Sequence, residues 1–138
     1  MISAEERALL GQLGGIVPTP RAARRLMNIY RMLRVSVPDD ELDAFGPDGG
    51  GEYQAVILLL ALLAGWPDDA GDIFAAMRAA SDGTDVWQVL AGFGDAFAVP
   101  EALRDHITVT SAGPYRRWAP RVARFSFRLG TVPPGDEW

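Results

Sequence analysis

Five polar side chains in one segment have the types and the spacing to bind an anion. On a helix over residues 20–35, at about 100° per residue, they share one face: Arg21, Arg24, Arg25, Asn28 and Arg31. A planar guanidinium group can form paired hydrogen bonds with a phosphate or a carboxylate. Backbone N–H groups in the first turn of a helix also favour anions, and Arg21 lies in that turn.

The opposite face of the same segment is apolar, which predicts that it packs on a hydrophobic core. Its members are Ala22, Ala23, Leu26, Ile29, Tyr30 and Leu33. Like charges that neighbour one another on a helix repel by a few tenths of a kcal/mol per pair, so the arginine face needs an offsetting anion. That anion could be a phosphate, a carboxylate of a partner, or an acidic residue of this chain.

Other reactive residues give weaker patterns. His106 beside Asp105 could serve acid–base chemistry, but a lone histidine at a helix end is typical of a surface or capping group. The acids of segment 39–41, with Asp43, could bind a divalent cation, yet they lack the Asp-x-Asp-x-Asp-Gly spacing. Ser126 has no histidine near it in the sequence. We therefore expect no catalytic residue and no metal site.

Composition limits the chemistry further. The 138 residues suit one domain, and the absence of cysteine excludes disulfides and thiolate metal sites. All 13 basic residues are arginine, so there is no lysine for a phosphate-binding loop or a Schiff base. The G-x-x-x-x-G-K-[S/T] motif and a strand ending in a pair of acids are also missing. The sequence therefore predicts a protein that is not an enzyme and that holds no cofactor of its own.

The charges are unevenly distributed along the chain. The net charge of −5 makes general nucleic-acid binding an unfavourable interpretation. Five arginines lie within residues 21–34 and five within 116–128, whereas acids dominate residues 39–105. The fold could bring the basic ends together over the acidic middle, or ion pairs within the chain could neutralise them.

Targeting signals are not evident. The N-terminal residues are acidic and lack the apolar run of a signal peptide. The most apolar stretch, residues 55–64, is far shorter than the roughly 20 residues that span a bilayer. We expect a soluble, cytoplasmic protein without a membrane span.

The elements that carry these residues are predicted to be helices joined by short loops. Expected helices cover residues 3–13, 20–35, 52–65, 69–80, 85–93 and 100–106, with one more opened by Pro114 and a further turn from Pro120 to about Phe127. Ser3 and Glu6 have the spacing of a capping box, Thr19 and Pro20 form a helix start, and Thr84 is the expected cap of helix 85–93. Residues 38–51 are expected to form a loop, and residues 107–110 could be extended or helical.

This pattern predicts an all-α fold: a single-domain bundle of about six or seven helices over residues 1–129, followed by an irregular tail at 130–138. Trp66 and Trp118 lie near helix boundaries and are expected to anchor the ends of the bundle.

Two segments resemble one protein family. The run PTPRAARRLMNIYR at 18–31 resembles a segment in the helical lid of KAP-type and related STAND P-loop NTPases, and its Pro-Arg pair is similar to the sensor 2 motif. The resemblance implies that Arg21 senses the terminal phosphates of the nucleotide. It also matches Arg25 to the basic residue of a Lys-Arg pair in the family's segment and Asn28 to the family's asparagine, while Arg24 stands where lysine is frequent.

The second segment, WAPRVARFSF at 118–127, resembles the ending of the same proteins. Physically it is typical of a helix end whose aromatic residues Trp118, Phe125 and Phe127 anchor it to the core. The resemblance implies a non-catalytic lid, with ATP and Mg²⁺ bound only by a separate NTPase core on a parent chain or a partner protein.

Three functions follow from these observations. The first is a lid that couples the nucleotide state of a core located elsewhere to conformation or partner binding. The second is a stand-alone helical module for protein–protein interaction or homo-oligomerisation, in which the arginine face docks on acidic residues. The third, a helix-turn-helix that binds nucleic acid, is disfavoured by the net negative charge.

Overall fold

The computed structural model describes residues 3–12, 19–47, 49–66, 68–93 and 104–129, and the side chains of its last helix as far as Arg124. Within those residues the chain is a bundle of seven α-helices without a strand, which confirms the all-α prediction. The helices are α1 Ala4–Gly11, α2 Pro20–Val35, α3 Leu42–Phe45, α4 Tyr53–Gly65, α5 Ala70–Ala79, α6 Val86–Ala91 and α7 Ala112–Leu129. No helix in this part of the chain is both long enough and apolar enough to cross a membrane.

Helix α4 is the centre of the bundle. Every side chain from Tyr53 to Leu62 is buried, so this helix has no solvent face and lacks an amphipathic stripe. Helices α1, α2 and α7 pack against it, and α7 also packs along α5. The arginine-bearing helix α2 is therefore held by the core on one side only.

Both predicted helix starts near the N-terminus are confirmed. The Ser3 hydroxyl accepts a hydrogen bond from the Glu6 amide (3.1 Å), and the Glu6 carboxylate accepts one from the Ser3 amide (2.8 Å). The Thr19 hydroxyl caps α2 through the Ala22 amide (3.0 Å), with Pro20 as the first helical residue. Helix α1 ends at Gly11, two residues before the expected end.

The prediction that residues 38–51 form a loop is wrong. Asp39–Glu41 form a 3₁₀ turn that leads directly into α3. Phe45 drives this structure because its ring is fully buried, with centroids 6.4 Å from the ring of Tyr30 and 5.3 Å from that of Trp118. The segment closes at Gly49, where a Cβ atom would lie 1.7 Å from the Asp43 carbonyl oxygen, so only glycine fits.

Two further boundaries differ from expectation. Asp85, and not Thr84, caps α6, through a 2.8 Å hydrogen bond from the Trp87 amide to its carboxylate. The helix predicted at Pro114 and the separate turn predicted at Pro120 are one helix, α7, with Pro120 inside it. Pro120 removes one backbone hydrogen bond of the helix, while the buried neighbours Ala119 and Val122 hold the helix on the core.

Residues 107–110, for which both conformations were open, are not helical. The next residue, Ser111, forms an isolated antiparallel bridge with Asp85. The Val86 amide donates to the Thr110 carbonyl (2.7 Å), and the Ala112 amide donates to the Thr84 carbonyl (2.8 Å). The predicted helix over residues 100–106 lies outside the described residues except for its last three, and the predicted tail at 130–138 lies outside them entirely.

Candidate functional site

The five residues predicted to bind an anion lie along one side of α2. Arg21, Arg24, Asn28 and Arg31 are exposed, and Arg25 is half-buried. At about 1.5 Å per residue the row from Arg21 to Arg31 extends about 15 Å. In the described part of the chain neither Arg24 nor Arg31 forms an ion pair. We call this row the basic face.

The basic face begins at the positive end of a helix. The first turn of α2 contains no acid, whereas that of α1 contains Glu5 and Glu6. A cation placed at a helix N-terminus is unfavourable by about 0.3–1 kcal/mol, and an anion placed there is favourable by a similar amount. Arg21 and Arg24 therefore add positive charge where the peptide dipoles are already positive, which prepares this end of α2 for an anion.

The opposite side of α2 is fixed by a buried carboxylate from α1. Glu6 is fully buried, and its Oε1 atom accepts hydrogen bonds from the Tyr30 hydroxyl and from Arg34 Nε (2.9 Å). Its Oε2 atom accepts the Ser3 amide of the capping box. The guanidinium of Arg34 also lies over the Phe45 ring, 5.3 Å from its centroid. This cluster sets the rotation of α2 and so keeps the basic face outward.

Burial raises the pKa of the Glu6 carboxyl, but hydrogen bonds from Tyr30, Ser3 and Arg34 outweigh burial, so its pKa lies below the ordinary value. Burial, together with the hydrogen bond to the Glu6 carboxylate, raises the pKa of the Tyr30 hydroxyl far above its usual range. At neutral pH the cluster is therefore an ionised carboxylate that holds a neutral phenol and a guanidinium.

Arginines of the C-terminal group, unlike Arg24 and Arg31 of the basic face, form ion pairs within the described part of the chain. Three ion pairs join α7 to acids of the middle of the chain: Arg116 with Asp82, Arg117 with Glu52, and Arg121 with Glu41 (3.1 Å). Neutralisation within the chain, one of the two alternatives left by the sequence, thus accounts for these arginines. It does not account for Arg24 and Arg31.

The predicted aromatic anchors occupy unequal positions. Trp118 is buried, and its indole Nε1 donates to the Glu52 carboxylate (2.8 Å). Trp66 is partly buried against the core. The side chains of Phe125 and Phe127 lie outside those that the structure describes.

A second buried polar cluster was not predicted from the sequence. Gln54, inside the apolar helix α4, accepts hydrogen bonds from the amides of Thr108 (2.6 Å) and Val109 (2.9 Å). The Tyr115 hydroxyl donates to the Val109 carbonyl (2.7 Å). Burial, with a contribution from Asp85, raises the pKa of this hydroxyl, so it stays a neutral donor. These bonds hold Thr108 and Val109 against α4, and only the polarity of Gln54 in an apolar run could have signalled them.

The remaining candidate residues are not assembled into a site among the residues described. His106 is exposed after the short helical stretch at 104–105, and Asp39, Asp40 and Asp43 are exposed around α3. No group of histidine, cysteine and carboxylate side chains with the geometry of a metal site occurs in these parts of the chain. What the basic face offers is positive charge and fixed hydrogen-bond donors, which suit recognition of an anion.

Comparison of the chain with protein-family models, curated proteins and solved structures finds no match in any of the three. None of the three supports the resemblance to the lids of P-loop NTPases, which stays a prediction from the residues of segments 18–31 and 118–127.

Proposed function

We propose that this chain is a non-catalytic helical module of a P-loop NTPase-like protein. It couples the nucleotide state of a core located elsewhere to conformation or partner binding. The observation that carries the proposal is the position of Arg21 and Arg24: both are exposed at the positive end of α2, whose first turn contains no acid. At Arg24, which forms no ion pair in the described part of the chain, this positive charge is unfavourable unless an external anion offsets it.

In this mechanism Arg21 contacts the terminal phosphates of ATP bound with Mg²⁺ in the separate core. Arg24 or Arg25 assists, and Asn28 makes polar contacts along the same face. Guanidinium–phosphate hydrogen bonds are charge-assisted and depend on the charge of the phosphate group. Hydrolysis and phosphate release remove that charge, so the affinity of α2 for the core changes with the nucleotide state.

The internal packing of the chain would transmit such a change. Glu6 links α1 to α2 through Tyr30 and Arg34, and the buried face of α2 packs on α4 and α7. A displacement of α2 by its phosphate contact therefore moves the attached helices with it. The order of the two resembling segments, with arginines exposed in the first and Trp118 buried in the second, agrees with a contact role for one and a packing role for the other.

The test is to combine the chain with the P-loop core of its parent or partner and to measure ATP affinity and turnover for Arg21→Ala. Loss of one charge-assisted contact of about 1.5–3 kcal/mol lowers the affinity roughly 10- to 100-fold. Arg78→Ala is the matched control, because Arg78 is an exposed arginine in the last turn of α5. Equal affinity and turnover for wild type and Arg21→Ala would remove the proposal.

A stand-alone module for protein–protein interaction or oligomerisation is the second candidate. One observation favours it: Val35, at the C-terminal end of α2, leaves 85% of its surface exposed. This function needs no nucleotide, so an effect of Arg21→Ala confined to partner binding, with ATP affinity and turnover unchanged, would favour it.

A further inference from the structure

The C-terminal end of α2 exposes two apolar side chains next to each other. Met32 is 47% exposed and Val35 is 85% exposed, and a spacing of three residues places them on the same side of a helix. Single exposed apolar residues are common on protein surfaces and need no explanation. Charged side chains of opposite sign precede and follow this pair in the chain, and they indicate which kind of partner could contact it.

Arg31 precedes the apolar pair, and Asp39 and Asp40 follow it in the adjoining 3₁₀ turn. All three charged side chains are exposed, and none of them forms an ion pair in the described part of the chain. Along the chain the surface is therefore basic, then apolar, then acidic. We call the surface formed by Arg31, Met32, Val35, Asp39 and Asp40 the Val35 patch.

An order of this kind is complementary to itself. In a two-fold dimer the same patch lies on both subunits, and each residue meets a different residue of the second copy. Arg31 lies four residues before Val35 and Asp39 four residues after it. In such a dimer, a two-fold axis near Val35 would bring the apolar pairs together and set Arg31 of each copy against the acids of the other.

We infer that the chain forms a weak two-fold homodimer through the Val35 patch. A second copy is the occupant that satisfies the apolar pair and both signs of charge at once, whereas a purely acidic partner would leave Asp39 and Asp40 facing like charge. Two apolar residues per copy and two arginine–acid contacts in total make a small interface, which fits a dissociation constant in the micromolar to millimolar range. The Val35 patch does not include Arg21 or Arg24, so this inference does not depend on the proposed function.

Sedimentation velocity of the full chain at about 0.15 M salt, up to about 1 mM protein, tests whether the dimer exists. The wild type should shift from monomer to dimer as its concentration rises. The double substitution Met32→Gln with Val35→Gln should weaken the dimer at least tenfold, because it removes the apolar contact while glutamine keeps a good helix propensity. A wild type that stays monomeric, a species larger than a dimer, or a dimer insensitive to this double substitution would overturn the inference.

Charge reversal tests the two-fold arrangement itself. Arg31→Glu alone and Asp39→Arg with Asp40→Arg alone should each be monomeric, because each variant opposes like charges across the axis. An equimolar mixture of the two should form a heterodimer, since every cross-contact is then between opposite charges. Arg78→Glu has the same net charge as Arg31→Glu but lies on α5, and it should dimerise as the wild type does. A mixture that remains monomeric, or an Arg78→Glu variant that loses the dimer, contradicts the arrangement.

Discussion

The carboxylate of Glu6 is fully buried and accepts the hydroxyl of Tyr30, 24 residues later in the chain. The same oxygen accepts Arg34 Nε at 2.9 Å, so one atom of α1 holds two side chains of α2. Burying a carboxylate without partners is very costly, and each of these donors offsets part of that cost. The outward direction of the basic face therefore depends on Glu6, an acidic residue of α1 that lies outside that face.

Glu6→Gln should destabilise the chain by about 3 kcal/mol. Breaking a buried ion pair costs about 3–5 kcal/mol, and the lower end applies because 19% of the Arg34 side chain is exposed and can be hydrated. Urea unfolding followed by circular dichroism measures the difference. Glu5→Gln is the control: Glu5 is the exposed neighbour in the same first turn, so its loss should change stability by no more than about 0.5 kcal/mol.

The stabilisation from Glu6 should depend on acid pH. Because its pKa is lowered on folding from an ordinary value of 4.5, its contribution is fully present above that value and is lost as the pH falls through the folded pKa. The unfolding free energies of wild type and Glu6→Gln, measured from pH 7 downward, should therefore differ by a constant amount above pH 4.5 and approach each other as the pH falls below it. A difference that stays constant below pH 4.5 as well would show that the carboxylate is not held ionised by its donors.

Gln54→Leu should release residues 107–110 from α4. The substitution leaves the amides of Thr108 and Val109 without their acceptor, and the loss of each such hydrogen bond costs about 0.5–1.5 kcal/mol. Hydrogen exchange of these two amides should accelerate by at least tenfold while exchange in α2 is unchanged. Gln88→Leu is the matched control because Gln88 is an exposed glutamine on α6, and it should leave both amides as protected as in the wild type.

Local signals in the sequence predicted the all-α bundle well. Capping side chains such as Ser3 and Thr19 act on backbone amides three residues away, so their effect can be inferred without the fold. Phe45 was missed because its burial depends on Tyr30 and Trp118, which are distant in the sequence. Glu6 and Gln54 were missed as buried groups for the same reason, since their partners lie 24 to 55 residues away.

The basic face was predicted from spacing alone because an exposed helix face requires no tertiary partner. The sequence could not decide which arginines the chain itself neutralises, since that depends on the packing of α7 against the acidic middle. Arg116 and Arg117 pair with Asp82 and Glu52, while Arg24 does not, although all three are arginines on the surface of a helix.

Arg24→Glu should stabilise the isolated chain slightly. It replaces repulsion between Arg21 and position 24 by attraction, and such a helical pair contributes about 0.2–0.5 kcal/mol. Thermal unfolding at low ionic strength should show the gain, and about 1 M salt should reduce it because the Debye length is then about 3 Å. If the substitution lowers the melting temperature instead, Arg24 stabilises the fold. Binding of an external phosphate is then not needed to explain why position 24 is an arginine.

Pro120→Ala should stabilise the chain by about 2 kcal/mol. A proline in a helix interior costs about 3 kcal/mol relative to alanine, since it removes one backbone hydrogen bond and crowds the preceding turn. The gain is reduced by up to about 1 kcal/mol because the unfolded chain with alanine has more conformational freedom. Pro114→Ala is the control: Pro114 lies in the first turn of α7, where the missing N–H has no helical acceptor, so its replacement should be neutral or slightly destabilising. Chemical unfolding of both variants measures the contrast. If Pro120→Ala did not raise the free energy of unfolding, the packing of Ala119 and Val122 would require a bend in α7 at Pro120. A straighter helix with alanine would then strain that packing.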